Sequence, residues 1–304
     1  MEYALTTNAL CKNYRHFKAL NGLSMHVPKG SIYGFVGKNG AGKTTLIRLI
    51  CGLQNPTSGD YTLYGTKNTQ KEIRKVQRRI GAVVETPSIY LDMTAEDNLK
   101  EQYRILGLPS FDDISSLLHL VGWEDTGKKK AKNFSLGMRQ RLGIAIALCG
   151  DPDFLVLDEP INGLDPQGII EMRELILKLN KERQITVLIS SHILDELSRL
   201  ATHYGFIDDG CLIKEISAEE LERTCRKCLR LEVSDLRVFA RVMEELEIEY
   251  CIISDTEVDV FAHMTPTKVI LELAKKGCEV SSIHERDESL ESYYVSLLGG
   301  ATNE

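Results

Sequence analysis

Four short apolar runs, Ile32–Val36, Ala82–Val84, Phe154–Leu157 and Thr186–Ile189, punctuate the chain, each followed by a loop and a stretch of helical periodicity. Runs without polar alternation suit strands buried on both faces, and strands that alternate with helices pair in parallel. The pattern predicts an α/β core. Between the second and third runs, residues 90–150 carry three helical segments and no comparable strand, so the sheet is interrupted by a helical insert. Ala95–Leu106 follows Thr94, an effective N-cap, and stops before Gly107 and Pro109; Asp112–Leu120 comes next. The third helix starts near Ser135, and Leu142, Ala145, Ile146 and Cys149 recur at i, i+3, i+4 and i+7, one buried stripe.

After Ile216 the period changes. Apolar alternation at Leu229–Val233, a helix near Leu236–Leu246, and strands near Tyr250–Ser254 and Val258–Phe261 precede a helix opened by Thr265 and Pro266 and closed by Gly277. A strand at Glu279–Ile283 completes a βαββαβ order, that of a ferredoxin-like unit, before a terminal helix at Leu290–Leu298. The expected division is 1–215 for the α/β domain and 216–304 for a small α+β domain.

Composition narrows the function. With 37 Lys+Arg against 44 Asp+Glu, the net charge of -7 supplies no global field for nucleic acid phosphates. Met1–Leu10 lacks a basic stretch followed by an apolar one, so the expectation is retention inside the cell. The longest strongly apolar stretch, Leu142–Cys149, is far short of the roughly 20 residues that span a bilayer, so any membrane crossing is expected in other chains. The Cys225–Cys228 pair has no second pair and no nearby His, which makes it a poor zinc site and favours reduced, structural thiols.

The chemistry concentrates at the strand ends. Gly37-Lys-Asn-Gly-Ala-Gly42-Lys43-Thr44 matches G-x-x-x-x-G-K-[ST], after the apolar strand Ile32–Val36 and before the apolar helix Leu46–Cys51. Glycines at 37, 40 and 42 let successive N–H groups turn inward with Asn39 and Ala41 between them; Lys43 reaches the β and γ phosphates, and Thr44 ligates Mg2+ ahead of Thr45. Phe154–Leu157 runs straight into Asp158 and Glu159, candidates for holding Mg2+ and for orienting or deprotonating the attacking water. His192 ends another apolar strand, where a neutral imidazole can sense a γ phosphate. Asp165 and Pro166 read as the N-cap and first residue of a helix, and capping alone explains both.

Together these motifs resemble the ATP-binding cassette family, the ATPase subunits of ABC transporters, over residues 3–215. The resemblance implies a P-loop NTPase core with a mostly parallel sheet, ATP and Mg2+ as ligands, and Tyr14 stacked on adenine. It also implies a head-to-tail sandwich of two cassettes in which Ser135, Gly137 and the Asn162-Gly-Leu-Asp165 turn meet the partner's nucleotide. A plain N-cap at Ser135 would look the same. Two departures stand out: Glu85 replaces the usual metal-contacting Gln, and the signature reads Phe134-Ser135-Leu136-Gly137-Met138. Both, with the Ser-Leu-Glu-Ser-Tyr-Tyr run near the C-terminus, resemble the bacitracin- and lantibiotic-export or immunity branch. The implied partners are transmembrane permease subunits, touched through Glu85–Asp92 and the insert, at the cytoplasmic face of the cell membrane. Lys128–Lys130 and Lys132 read as a solvated charged face, with lipid head groups as the alternative. The competing functions are a soluble cassette ATPase in DNA repair or translation, and a nucleotide-binding regulator with little turnover.

Overall fold

The computed structural model describes residues 2–123, 127–225, 228–261, 266–286 and 290–300. The chain divides into two compact units, Met1–Ala218 and Glu219–Glu304. The first boundary therefore falls after the last strand of the α/β unit, where the expected cut at residue 215 would have split that strand.

The first unit opens with β1 (Tyr3–Tyr14), β2 (Phe17–Leu23), β3 (His26–Pro28), β4 (Ile32–Val36) and α1 (Lys43–Ile50). Then come β5 (Ser58–Leu63), β6 (Thr66–Lys67), α2 (Ile73–Gln77) and β7 (Ile80–Val83). The insert holds α3 (Ala95–Leu106), α4 (Ile114–Leu120) and α5 (Leu136–Leu148). The unit closes with β8 (Phe154–Asp158), α6 (Pro166–Arg183), β9 (Thr186–Ser191), α7 (Leu194–Ser198), β10 (His203–Asp208) and β11 (Cys211–Ser217).

The central sheet has the order β11-β10-β4-β9-β8-β7, parallel throughout except for β11. Every residue of β4, β8 and β9 is buried, as their unbroken apolar character requires. Register places Val36 opposite Ser191 and Asp158 opposite Ser190, so the C-terminal ends of three strands lie side by side. Ligands of open α/β sheets bind beyond those ends.

A second sheet, β2-β1-β5-β6 with β3 also on β1, is antiparallel and was not foreseen from the sequence. β1 shifts register against both β2 and β5, and Ala9 sits at φ 46, so the apolar positions never alternate cleanly. Glu215 on β11 ties the two sheets together. Its Oε1 accepts from the Tyr33 hydroxyl at 2.6 Å and from the His26 N–H at 2.7 Å. Burial, and after it the Glu215 charge, pushes the Tyr33 hydroxyl well above the ordinary phenol range.

In the insert, Thr94 caps α3 in a full capping box with Asp97, and Gly107 ends it in the left-handed conformation. α5 differs from the single stripe expected. Ile146 is only half-buried, while Leu142, Gly143, Ile144, Ala145 and Leu148 are buried around most of the circumference. The cause is that α5 packs on β7 as well as on α3, α4 and α6. Lys132 pairs with Asp92 at 3.0 Å, and Lys128–Lys130 are exposed.

The second unit begins within α8 (Ala218–Cys225) and continues with β12 (Cys228–Val233), α9 (Leu236–Glu245), β13 (Glu249–Ile252), β14 (Glu257–Phe261), α10 (Pro266–Lys275), β15 (Val280–Arg286) and α11 (Leu290–Gly300). Its sheet order, β13-β14-β12-β15, is antiparallel at every pairing, the split arrangement of a ferredoxin-like unit. Thr265 and Ser289 lie outside the described residues. Asp235 caps α9 by accepting from the Arg237 and Val238 N–H groups. The core gathers Leu231, Phe239, Val242, Met243, Val258 and Val260 on one side of the sheet. Arg230 and Asp259, cross-strand neighbours, form a two-pronged ion pair at 2.7 and 2.8 Å.

Phe239 is fully buried and meets Tyr250 edge-on, with ring centroids 5.3 Å apart. Phe239→Ala is expected to cost this unit about 3–5 kcal/mol. Hydrogen exchange should show β12 and β14 losing protection; unchanged protection there contradicts the assignment of this core.

Candidate active site

β4 delivers the chain to Gly37, whose N–H donates to the Ser191 carbonyl at 3.2 Å and so extends the β4–β9 pairing. A side chain at Gly37 would place Cβ 2.5 Å from the Ile207 carbonyl oxygen. At Gly42 the constraint is doubled, with φ 109 and a Cβ position 2.4 Å from the Ala19 carbonyl oxygen. Gly42 is the N-cap of α1, so the first N–H groups of that helix face the loop with no side-chain cap. Ala41 is buried and its N–H donates to the Lys38 carbonyl at 3.1 Å; Asn39 and Gly40 are exposed on the crest, and Thr45 is half-buried on α1.

Lys43 is 6% exposed. Its ammonium curls back to donate to the Gly37 carbonyl at 2.6 Å and the Lys38 carbonyl at 3.2 Å, and it lies 3.2 Å from Glu159 Oε1. A buried cation needs such ligands, and an anion cradled by the loop would meet the same ammonium.

Asp158 ends β8 almost fully buried. The Thr44 hydroxyl donates to Oδ2 at 2.8 Å and the Ser190 hydroxyl to Oδ1 at 2.5 Å. Ser190 also accepts from the Glu159 N–H at 3.0 Å, so one hydroxyl positions both acidic residues. Glu159 has φ 51, a strained value for a residue with a side chain, and this bend aims its carboxylate across the strand ends. Oε1 faces Lys43, and Oε2 lies 2.7 Å from His192 Nδ1. Glu196 on α7 feels the same charges. Burial chiefly pushes its carboxyl up, His192 draws it down, and Glu159 and Asp195 push it up further.

Ser190 and Glu196 escaped the sequence reading. Ser190 could have been found from its place one residue before the paired polar end Ser191-His192 of a buried strand; Glu196 carries no local signal.

Glu85 sits elsewhere in this network. It has φ 59, and its carboxylate meets Arg48 of α1 at 2.5 Å. Two residues on, Pro87 packs so closely on α5 that a Cβ at Gly143 would lie 2.6 Å from Pro87 Cβ. The segment after β7 is therefore anchored at one end to α1 and at the other to the insert.

Ser135, Gly137 and Asp165 gather in a second patch. Ser135 Oγ caps α5 by accepting from Met138 N–H at 3.2 Å, and Asp165 Oδ1 caps α6 by accepting from Gly168 N–H at 3.1 Å. Leu136, 45% exposed, leans over Gly163, and Leu164 lies beside Gly137. Tyr14 stands at the end of β1, 39% exposed, its hydroxyl bonded to Gln54 and Lys12 Nζ 5.3 Å from the ring centroid. An exposed aromatic face of this kind can stack on a nucleobase.

Ser190→Ala should lower Mg2+-dependent hydrolysis about 10- to 100-fold, the usual effect of removing a group that orients a ligand, while nucleotide still binds. Steady-state phosphate release and a binding titration on the same preparation check this. Unchanged turnover contradicts the orienting role.

Residues 20–162 match the family described as ABC transporter. The bacitracin transport ATP-binding protein BcrA of Bacillus licheniformis is 43% identical over 305 residues, covering 99% of each chain. The lantibiotic transport ATP-binding protein SrtF of Streptococcus pyogenes is 44% identical over 206 residues, 68% of this chain and 87% of its own. Among solved structures, cbiO1 of Clostridium perfringens, part of the ABC transporter complex cbiONQ, superposes with a TM-score of 0.66 at 26% identity, covering 81% of this chain and 97% of its own. The dimeric cassette MJ0796 bound to ADP and Pi in a post-hydrolysis state does so at 0.62 and 25% identity, covering 70% and 98%. With a full-length relative at this identity and the phosphate loop, acidic strand end and histidine gathered at one edge of the sheet, the chain belongs to the ATP-binding subunits of ABC transporters.

Proposed function

We propose that this subunit powers export of, or immunity to, a bacitracin- or lantibiotic-like peptide antibiotic, through separate permease subunits at the cytoplasmic face of the membrane. The substrate class rests on the relatives' names, bacitracin transport over the full length and lantibiotic transport over the cassette. Among the described residues no helix is long and apolar enough to cross a membrane. The relatives' names, transport ATP-binding proteins, support a path formed by separate permease chains. An apolar groove of about 340 Å³, lined by Leu53, Val84, Pro87, Gly143 and Ile146, opens beside the segment after β7. It suits a permease contact that touches both the segment after β7 and the insert.

The observation that carries the mechanism is the convergence of Lys43, Asp158, Glu159 and His192. Thr44 and Asp158 offer a hydroxyl and a carboxylate oxygen, the hard donors that Mg2+ selects, already 2.8 Å apart. These two residues would hold Mg2+, which would supply charge neutralisation for the phosphates. Glu159 accepts a proton from, or orients, the attacking water, and its bond to His192 fixes the carboxylate's direction. Lys43 holds the phosphates in line, and the loop N–H groups and the α1 dipole stabilise their charge. Ser135, exposed, and Gly137, half-buried, both at the N-terminus of α5, would grip the nucleotide of a second cassette, and Tyr14 would stack on adenine. An arrangement with an oriented Glu159 and a paired His192 supports turnover rather than a silent regulator.

Glu159→Gln is expected to lower phosphate release about 10²- to 10⁴-fold while MgATP binding stays within a few fold of the native protein. The same variant should accumulate an ATP-dependent dimer in size-exclusion chromatography. Near-native turnover in it would remove Glu159 from the reaction.

A further inference from the structure

The hairpin β10–β11 turns through two residues, Asp209 at φ 43 and Gly210 at φ 79, with Asp208 and Cys211 paired across it. Two consecutive left-handed residues with the sequence Asp-Gly make a type I′ turn, whose twist matches the flanking strands and which is accordingly stiff. This turn grips the phosphate loop at two points. Lys38 Nζ lies 2.8 Å from Asp208 Oδ1 and 3.3 Å from Asp209 Oδ1, and the Gly210 N–H donates to the Ala41 carbonyl at 3.0 Å. The Lys38 carbonyl in turn accepts from the Ala41 N–H and from Lys43 Nζ. On its other side the turn holds β2, because the Asn21 N–H donates to the Gly210 carbonyl at 2.9 Å and the Cys211 thiol reaches the Asn21 carbonyl at 3.2 Å. β2 pairs with β1, which carries Tyr14.

We propose that Lys38 and the acidic turn Asp208–Asp209 are positioning residues that latch the phosphate loop to the β10–β11 hairpin and set the affinity for the triphosphate rather than the rate of its hydrolysis. The proposal rests on reading this loop as the triphosphate site. Two carboxylates beside an anion site are unfavourable in themselves, since they repel the phosphates. Pairing with Lys38 offsets that repulsion, and the pair fixes the loop residue whose carbonyl anchors both Ala41 and the Lys43 ammonium. Both carboxylates accordingly hold the Lys38 ammonium more firmly protonated than an isolated lysine. The two ends of the nucleotide also become linked, because one stiff turn supports the phosphate loop on one side and the hairpin of Tyr14 on the other.

Charge and positioning predict opposite signs when the carboxylates are removed. If the turn acted only through its field, neutralising it would tighten MgATP binding. As a latch, its loss frees Lys38 and loosens the loop. The test is steady-state hydrolysis of MgATP by the full chain carrying Asp208→Asn and Asp209→Asn together, by Lys38→Ala, by the triple variant and by Lys38→Arg. The expected result is a KM raised about two- to fivefold in the first two, the range for partly exposed ion pairs, with kcat in the Asp208/Asp209 variant within about twofold of native. The triple variant should be no worse than either, because all remove one interaction, and Lys38→Arg should restore the native KM. At high salt the native KM and that of the Asp208/Asp209 variant should converge. A lowered or unchanged KM in the Asp208/Asp209 variant, additive effects in the triple, or a fall in kcat in place of KM overturns the proposal. Lys43→Ala serves as the reference: if it still binds MgATP at native affinity, the triphosphate reading fails rather than the latch.

Discussion

An ammonium removed from water has to be surrounded by oxygen atoms, and the whole of this site is arranged around that requirement at Lys43. Two main-chain carbonyls and the Glu159 carboxylate meet it. The carbonyls exist in the right place only because the loop turns through glycines that other backbone approaches within contact distance. Glu159 reaches Lys43 only because its own backbone is bent into the left-handed region. Sterics at the loop and strain at the strand end thus serve one electrostatic demand. A phosphate group would answer the same demand, and its binding would then exchange one set of oxygens around the ammonium for another.

The parallel sheet supplies the alignment. Because β4, β8 and β9 are buried on both faces and locked in register, the residues that leave their ends cannot drift relative to each other. Asp158 is then pinned between a hydroxyl from α1 and one from β9, and Ser190 transmits the same constraint to the backbone of Glu159. The segment after β7 departs from the family's usual chemistry in using a carboxylate at position 85, and the structure gives that charge a cation in Arg48. Pro87, wedged on α5, carries the position of the segment into the helical insert.

What the sequence disclosed was set by how local each feature is. The phosphate loop, the Asp158-Glu159 strand end and His192 are contiguous motifs tied to apolar runs, and their placement at neighbouring strand ends follows from a parallel sheet. The split βαββαβ order of the second unit was equally legible, since each strand and helix there keeps a clean period. The antiparallel sheet was not, because β1 is bulged and its burial follows three partners at once. α5 read as a one-sided helix because a period of 3.6 records a stripe, not the number of neighbours that cover the rest. Ser190, Arg48 and Lys38 were invisible as partners for a further reason. Each acts on a residue far away in the chain, through a contact that only the folded register creates.

We infer that the Lys43 ammonium is a phosphate ligand held ready by Glu159 and the loop carbonyls. A crystal structure of the protein with Mg2+ and a nonhydrolysable ATP analogue tests it most directly. The expected result is β and γ phosphate oxygens within hydrogen-bond distance of Lys43, metal against Thr44 and Asp158, and Glu159 turned from the ammonium toward the γ phosphate. A triphosphate bound elsewhere on the chain, with the Lys43–Glu159 pair undisturbed, would contradict it.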